Sequence, residues 1–279
     1  MNRNRFVDIS AVICLLALTL QQAAQAQEDD SAPDTLRVFV GGFAADLETD
    51  SLLTRSGMGG QQFSMEDDLG LDDEDVIAIG GLRWRIGKRH SIGVMHLALD
   101  RDASETLTRE VAIGDEVFPI NARTETTFDY RTTQFDYRYS FIASDRLNAG
   151  VLIGISAIDF DFEVVGDAIG PGGGMAPVSV EEDEAYPVPS IGLGFRYTLA
   201  ENWYLRAGAT YLEYDDGDWE GTLLIAGIGV EWFPWRHFGF GVGYDLVQIE
   251  YDEDEDDDSD EFDVEFDYEG IQLRVIARF

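Results

Sequence analysis

The sequence predicts an all-β fold: a closed, antiparallel, up-and-down transmembrane β-barrel of about ten strands, with eight strands as the alternative. Three observations lead to this class. Apolar and polar residues alternate through successive segments of the 279-residue chain, tight and long connections alternate between the segments, and no apolar run after residue 26 could form a membrane helix. Successive side chains of a strand point to opposite faces, so each segment has one apolar face.

The first 26 residues are predicted to be a secretory signal peptide, which leaves residues 27–279 as the barrel domain. Two arginines precede a short apolar stretch at 9–20, and Ala24-Gln25-Ala26 has the small residues of a cleavage site. The apolar stretch is shorter than a bilayer-spanning helix requires. The one cysteine, Cys14, lies in this segment, so we expect no disulfide and no thiolate metal site in the mature chain.

Ten segments alternate regularly enough to be predicted as strands. They are 36–45, 76–87, 91–101, 124–142, 147–164, 185–197, 203–214, 219–232, 238–251 and 262–279. Tight connections fall at 87–90, 143–146, 199–202 and 233–237. Long connections include 47–75, 102–123 and 165–184. A barrel with short periplasmic turns and longer outer loops has this alternation, and an even strand number puts both termini on the periplasmic side.

The face on which each arginine falls distinguishes a membrane barrel from a soluble sandwich. In hydrocarbon the outward face must be apolar, because an outward arginine near the midplane costs about 2–4 kcal/mol. In the predicted membrane segments the arginines take the parity opposite to the apolar residues, as Arg83 and Arg85 do beside Leu82, Trp84 and Ile86. A soluble sandwich would bury the apolar face and expose the charges. The pattern therefore favours an apolar outer surface with arginines inside.

The inward parity brings eleven charged residues into the lower lumen. Buried charges have to be paired and hydrogen-bonded. Because arginine outnumbers acid, two alternatives stay open: a charge-paired plug that closes the lumen, or a narrow passage that favours anions. The predicted structural or pore-lining residues are Arg37, Arg83, Arg85, Asp136, Arg138, Arg196, Arg206, Glu231, Asp245, Arg274 and Arg278.

Beyond the apolar band, the polarity of the two faces reverses. In the last strand Glu265, Asp267 and Glu269 take the outward parity, whereas Phe266 and Tyr268 turn inward. An apolar band about 25 Å tall uses only about 8–10 residues of tilted strand, so the longer strands extend past it. The pattern predicts a barrel wall that continues into water on the outer side around an aromatic interior, in preference to loosely structured acidic loops.

The formal charge of −36 restricts the partners. It excludes nucleic acid, which requires a basic surface, and it argues against attraction to anionic lipid headgroups. Residues 252–261 are nearly all acidic but lack the turn glycine and ligand spacing of an EF-hand loop. A solvated charge run is the default there, and binding of divalent cations at the acidic rim is the alternative. No cofactor and no defined metal site are predicted.

Catalysis is not expected from this sequence. The chain has three histidines; His90 and His237 fall at tight turns, and His96 falls within the third strand. His96 faces outward if that strand keeps the parity of Ile92 and Val94, and inward if its register is reversed or interrupted by a bulge. Carboxylates are abundant, but none has a histidine or nucleophile at a spacing that would indicate a catalytic site.

The last ten residues, GIQLRVIARF, alternate between an apolar and a mostly polar face and end on Phe279. This segment resembles the closing strand of bacterial outer-membrane β-barrels, whose terminal Phe is part of the signal read by the assembly machinery. The whole mature chain resembles small outer-membrane barrels such as the OmpA-like transmembrane and OmpW-like groups.

That resemblance implies residence in the bacterial outer membrane. It implies outer-membrane lipid, lipopolysaccharide and the barrel-assembly machinery as partners, and it assigns an assembly-signal role to Phe279. The implied function is a structural or adhesive surface protein; the alternative is a narrow, porin-like channel for small apolar or anionic solutes.

Overall fold

The computed structural model describes residues 34–55, 58–113, 116–169, 175–215, 219–254 and 261–279. The predicted signal peptide lies outside the described residues. Within the described part of the chain, no helix is long and apolar enough to cross a membrane.

Thirteen strands make up nearly all of the described structure. They are β1 (Leu36–Arg55), β2 (Met58–Ser64), β3 (Glu74–Ile86), β4 (His90–Thr106), β5 (Val111–Ile113), β6 (Glu116–Phe118), β7 (Arg123–Ala143), β8 (Leu147–Ile169), β9 (Met175–Ala200), β10 (Trp203–Asp215), β11 (Trp219–Trp232), β12 (Phe238–Asp254) and β13 (Glu261–Arg278).

Ten of these strands close into one antiparallel ring. The order is β1-β3-β4-β7-β8-β9-β10-β11-β12-β13, and β13 pairs back onto β1 from Arg37↔Arg278 to Thr54↔Glu261. The prediction of a ten-strand barrel is confirmed, and the eight-strand alternative is wrong. In the described chain β2, β5 and β6 lie outside the ring: β2 pairs with β1, and β5 and β6 form a small hairpin.

One end of the barrel, called the turn end here, carries the tight connections 87–89, 144–146, 201–202 and 233–237. Gly87 and Asn202 adopt positive φ angles of 75° and 65°, which tight turns require. Both ends of the described chain meet there, because the carbonyl of Phe279 accepts hydrogen bonds from the amides of Thr35 and Leu36. The opposite end is called the loop end.

The long connections predicted at 47–75 and 165–184 are wrong in large part, because strand continues through them. β1 runs on to Arg55 and pairs with β2, and β8 and β9 pair as far as Ile169↔Met175. Apolar residues on the inward parity keep the strand in place, and Val164 and Ala168 are fully buried. Glycine, proline and acidic residues in these stretches suggested loops, but burial and ladder hydrogen bonds outweigh that composition.

The outward face of the ring is apolar, as its parity predicts. Every ring strand contributes an exposed apolar side chain, and Val40, Ile153, Leu193 and Leu273 are each about 60% exposed. An exposed apolar belt around a whole molecule is far larger than soluble proteins carry, and it matches a lipid-facing band. Towards the loop end this face becomes acidic, while the inward Phe128, Phe162 and Phe266 are buried. The barrel wall therefore extends beyond the apolar band.

His96 lies on this outward face, in a row with Val40 and Gly80. The register between β3, β4 and β7 has no shift, so neither the reversed register nor the bulge occurs. The ring nitrogen Nδ1 of His96 is hydrogen-bonded to the hydroxyl of Thr133 on β7, at 2.9 Å. This neighbour supplies a polar partner in an apolar surrounding.

Candidate functional site in the barrel lumen

The lumen near the turn end is organised around Glu231, an inward residue of β11 whose side chain is only 5% exposed. Arg37 donates a hydrogen bond from Nη2 to Oε2 of Glu231 at 2.6 Å. Arg196 and Arg274 approach the same carboxylate at 3.6 and 3.7 Å. Three guanidinium groups from β1, β9 and β13 therefore converge on one buried carboxylate.

Two further ion pairs lie at other points of the same wall. Arg83 donates two hydrogen bonds of 3.0 Å to Asp136. Arg206 lies 3.5 Å from Asp245 and donates a hydrogen bond to Oε1 of Gln272. Pairing of this kind offsets the cost of removing the charges from water.

Inward glycines provide the space for these charged side chains. A Cβ atom on Gly93 would lie 2.5 Å from Oδ1 of Asp136, and one on Gly227 would overlap Asp245. A Cβ on Gly243 would lie 2.8 Å from Nη2 of Arg206. The glycines thus leave bare backbone beside each large charged group, which explains their inward parity.

The turn end itself is filled by an aromatic residue and an arginine. Phe233, in the turn after β11, is 1% exposed, and the guanidinium of Arg278 lies 4.0 Å from its ring centre. Arg278 also donates to the carbonyl of Arg236 and lies 3.7 Å from Asp34. Arg196 stacks over Tyr204 at 3.7 Å. Cation–π contacts are therefore a second way in which this layer accommodates arginine.

All eleven predicted lumen residues lie on the inward face. Arg138 donates to Asn148 and to the carbonyl of Gly194, and Arg85 is half-buried near Asp34 and Arg37. Sequence reasoning missed Asp34, which precedes the first strand and lies within 4.0 Å of Arg37, Arg196 and Arg278. Eight arginines thus face four carboxylates.

Several buried donors in this layer have no hydrogen-bond partner within the described residues. They include Nε and Nη2 of Arg196 and the same two nitrogens of Arg274. Guanidinium groups are in excess, so the layer carries positive charge inside the barrel.

Above the arginine layer, an aromatic cluster crosses the lumen. The ring centres of Tyr130 and Phe266 are 5.2 Å apart, and those of Tyr130 and Tyr268 are 6.5 Å apart. Tyr130 belongs to β7 and the other two to β13, which is four strands away round the ring in one direction and six in the other. A contact between such distant strands can only run through the interior.

Two segments cover the loop end and are called the cap: residues 64–73, which run from the end of β2 to β3, and residues 107–122, which include β5 and β6. Their apolar side chains are fully enclosed, with Leu69, Leu107, Val111 and Phe118 at most 1% exposed. They join the aromatic cluster in one continuous hydrophobic core. Sequence reasoning treated both segments as parts of long surface connections.

The first cap segment is attached to the wall through Arg101 and Glu66. Arg101 on β4 is 3% exposed and donates a 2.7 Å hydrogen bond from Nη2 to Oε1 of Glu66. The same carboxylate accepts hydrogen bonds from the amide and the hydroxyl of Thr49 on β1. Arg101 shares its parity with the buried Leu97 and Leu99, so an inward arginine that lacks a carboxylate on a neighbouring strand was the available signal for this pair.

A second ion pair joins the two cap segments to each other. Arg109 donates two hydrogen bonds to the carboxylate of Asp68, which also accepts one from the amide of Ser64. Burial alone would raise the pKa of Asp68, but these hydrogen bonds and the charge of Arg109 outweigh it and hold the pKa below its ordinary value. Nearby Asp50 has a raised pKa, because of its burial and the charges of Glu66, Asp67 and Asp68.

The histidines do not form a catalytic arrangement in the described chain. His90 is hydrogen-bonded to the hydroxyl of Tyr137 and His237 to the carbonyl of Arg278, both at the turn end. His96 faces outward in the apolar band. No group of three or more histidine, cysteine or acidic side chains in the described residues is arranged to hold a metal ion.

Comparisons with known proteins agree with this architecture. Residues 11–226 match the family described as "Outer membrane protein beta-barrel domain". The structure of the outer membrane protease OmpT from Escherichia coli is similar, with a TM-score of 0.55 and 11% identity over 90% of this chain and 99% of that chain. At that identity the likeness concerns the fold alone.

Two other solved barrels match with lower scores. The toluene transporter TodX of Pseudomonas putida has a TM-score of 0.39 and 10% identity, over 89% of this chain and 91% of that chain. Ail of Yersinia pestis has a TM-score of 0.30 and 10% identity, over 87% of this chain and 99% of that chain. No curated protein matches the sequence. Since the family match covers more than half of the residues, the chain belongs to the outer membrane protein β-barrel domain family and is a β-barrel protein of the bacterial outer membrane.

Proposed function

We propose that this protein is a closed, non-conducting barrel that holds an acidic wall and a compact cap outside the cell, in a structural or surface-interaction role. The turn end and both termini lie in the periplasm, because short turns face that side in outer-membrane barrels. Phe279 serves as the signal for the barrel-assembly machinery. Lipopolysaccharide and outer-membrane lipid surround the apolar band, and divalent cations are the ionic partners of the acidic rim.

The contact between Tyr130 and Phe266 carries the proposal. A barrel of this size has little more interior than side chains can fill, and these two rings meet where a pore would have to run. The arginine layer lies below them and the enclosed cap residues lie above. Three successive layers therefore support a blocked lumen.

Conductance of the refolded protein in planar lipid bilayers tests the proposal. We expect no stepwise current at ordinary salt concentrations and voltages up to those that bilayers tolerate. A matched sample of the variant Tyr130→Ala, Phe266→Ala, Tyr268→Ala is expected to stay silent as well, because the arginine layer closes the lumen separately. Uniform ohmic steps from the native protein, absent from a heat-unfolded control, would contradict a closed lumen.

The alternative function is a narrow channel through the lumen. The excess of arginine over acidic residues there would make such a channel selective for anions. Eight guanidinium groups face four carboxylates, and Arg196 and Arg274 each have two buried nitrogens that make no hydrogen bond within the described residues. If the native protein conducts, the reversal potential in a salt gradient decides between functions: a strong anion preference that falls in Arg274→Gln would support this channel.

We infer that the protein is not an enzyme, although the barrel of a protease has a similar fold. Catalytic histidines of a rim protease would have to lie near the loop end, but the three histidines of this chain lie at the turn end and on the outward wall. Incubation of the folded protein with a library of fluorogenic peptides is expected to release no fluorescence. Cleavage that survives removal of contaminating proteases by refolding from urea would overturn this inference.

A further inference from the structure

The exposed basic side chains at the turn end form a distinct group. Lys88 and Arg89 lie in the turn after β3, Arg146 in the turn after β7, and Arg236 in the turn after β11, and all four are exposed. Lys88 is the one lysine of the sequence. The exposed carboxylates of the turn end are Asp145, in the turn after β7, and Glu201, in the turn after β9. The surface of the turn end is therefore basic in a chain whose total charge is −36.

These cations lie against the outward aromatic residues that border the apolar band. The guanidinium of Arg89 donates weakly to the hydroxyl of Tyr139, at 3.4 Å, and that of Arg146 lies 5.9 Å from the ring centre of Tyr197. His90 stacks on Tyr137, with ring centres 6.0 Å apart. In outer-membrane barrels, girdles of outward aromatic rings border the apolar band at the depth of the lipid headgroups. The cations beside them therefore occupy the depth of lipid phosphates.

Tryptophans mark the same depth. Trp203 and Trp232 stack on the outward face with ring centres 5.6 Å apart, Trp84 is 49% exposed and Trp235 is 60% exposed. Four of the five tryptophans thus lie next to the basic turns, and Trp219 lies towards the loop end.

The opposite boundary of the apolar band has the reverse charge. Outward positions of the wall carry an acid on nearly every strand, and like charges face each other directly at Asp46↔Glu269 and Glu48↔Asp267. Arg131 is an outward cation on this wall, and it is paired with Asp100 and Asp129. The outer surface therefore has one basic boundary and one acidic boundary, separated by the apolar band.

We propose that the turn end binds the headgroups of anionic phospholipids, through Lys88, Arg89, Arg146 and Arg236. A lysine or arginine near an anionic lipid surface gains about 1 kcal/mol, which corresponds to about a fivefold preference for each cation. The acidic wall repels the same lipids, so the protein recognises an anionic leaflet with one end only. This recognition does not depend on whether the lumen conducts.

Fluorescence quenching by brominated lipids tests the proposal, because four tryptophans report on the boundary concerned. The full-length protein is folded into bilayers that mix unlabelled phosphatidylcholine with either dibrominated phosphatidylglycerol or dibrominated phosphatidylcholine. From the quenching curves we expect a relative binding constant of at least five in favour of the anionic lipid at low ionic strength, falling towards one at high salt.

Two variants separate the basic turns from general effects of charge. The double variant Lys88→Gln, Arg89→Gln is expected to lose several-fold of the preference, whereas Arg131→Gln, which removes an outward cation at the other boundary, is expected to keep it. Reduced electrophoretic mobility after heating verifies folding of each variant. Equal quenching by both lipids in the native protein, or the same preference in the double variant, would overturn the proposal.

Discussion

Arg101 on β4 and Glu66 in the cap form an ion pair whose partners are 35 positions apart in sequence and 2.7 Å apart in space. The Arg101 side chain is 2% exposed and the Glu66 side chain 11%. Breaking a buried pair leaves one charge without a partner, which costs about 3–5 kcal/mol. We therefore expect this pair to contribute strongly to the docking of residues 64–73.

Substitution of Arg101 by methionine is expected to release residues 64–73 from the wall. The measurement is hydrogen exchange, where amides of this segment should lose protection by about 3–5 kcal/mol while amides of the apolar band keep theirs. Arg131→Met provides the control, since in its pair with Asp100 the two side chains are 40% and 66% exposed, and an exposed pair contributes only about 0–1 kcal/mol. Unchanged protection in Arg101→Met would show that apolar burial alone holds the cap.

Among the charged residues of the barrel, Glu231 is expected to cause the largest loss of stability when it is substituted. In Glu231→Gln three guanidinium groups lose their common counterion, so the free energy of unfolding should fall by about 3–5 kcal/mol. Urea unfolding in bilayers, followed by the mobility shift on gels, measures it. Glu201→Gln, at an exposed turn, should stay within about 0.5 kcal/mol of the native protein. A smaller loss for Glu231 than for Glu201 would mean that the arginine layer does not need this partner.

The aromatic cluster should contribute to stability as a core does. Tyr130→Ala leaves a cavity among Phe266 and Tyr268 and is expected to cost about 3–5 kcal/mol. Tyr137→Ala is the matched control seven positions along β7, because that side chain is 42% exposed on the outward face. The same unfolding assay distinguishes them. A larger effect at Tyr137 would contradict the assignment of inward and outward faces.

The acidic wall should gain stability as the pH falls from 7. Burial, followed by the charges of Asp267, Glu250, Asp50 and Glu48, raises the pKa of Glu265 above its ordinary 4.5, and the pKa of Asp50 is raised above 3.8. A carboxyl group whose pKa is higher in the folded state binds its proton more tightly there. Stability is therefore gained as the pH falls through the raised pKa values and lost again as the pH rises.

Hydrogen exchange of the β1–β13 pair near Asp50↔Glu265 should follow that pH dependence. Glu265→Gln is expected to weaken this pH dependence, because the substitution removes one titrating carboxyl group and its repulsion of the neighbouring acids. The pair of Asp68 with Arg109 behaves oppositely: the lowered pKa of Asp68 keeps this cap contact intact until the pH falls below about 3.8. Protection at the wall that decreases steadily from pH 7 to 5 would contradict the prediction.

Substitutions of His96 can show how deep in the bilayer this part of the outward face lies. His96 lies in the row of Val40 and Gly80, so His96→Arg should lose about 2–4 kcal/mol if this row is near the midplane. His96→Leu should be close to neutral, because the lost hydrogen bond to Thr133 is offset by an apolar surface. Unfolding in bilayers of different thickness checks both variants. Equal stability of the two would place this row at the interface.

The barrel could be predicted from the sequence because one rule governs each strand. Arg83, Arg206 and Arg274 all lie on the inward face of membrane-depth strands. An outward arginine at that depth would be in contact with lipid hydrocarbon, which is costly. The outward face of β4 could not be decided from the sequence. Neither His96 nor Met95 is so polar or so apolar that its position alone identifies the lipid-facing side. The hydrogen bond to Thr133 depends on a neighbouring strand that no local pattern identifies.

The cap could not be predicted from the sequence, because contacts with distant parts of the chain hold it in place. A regular alternation of apolar and polar residues does not mark it. Leu69, Leu107 and Val111 are fully buried, yet β5 and β6 have only three residues each, too few for a periodic pattern to be recognised in the sequence. Asp34 was missed for a related reason, since it precedes the first strand and reaches the arginines only after β1 pairs with β13. In both cases the partners are distant in sequence, and ring closure brings them together.

The contact between Tyr130 and Phe266 also stiffens the barrel against flattening. A hollow ring of ten strands can flatten into an ellipse when the lateral pressure of the bilayer changes, since only hydrogen bonds between neighbours resist it. Here inward force on β7 passes directly to β13 through two touching rings, so the short axis cannot shrink without compressing them. The cross-section of this protein should therefore stay round in membranes whose tension would deform an empty barrel.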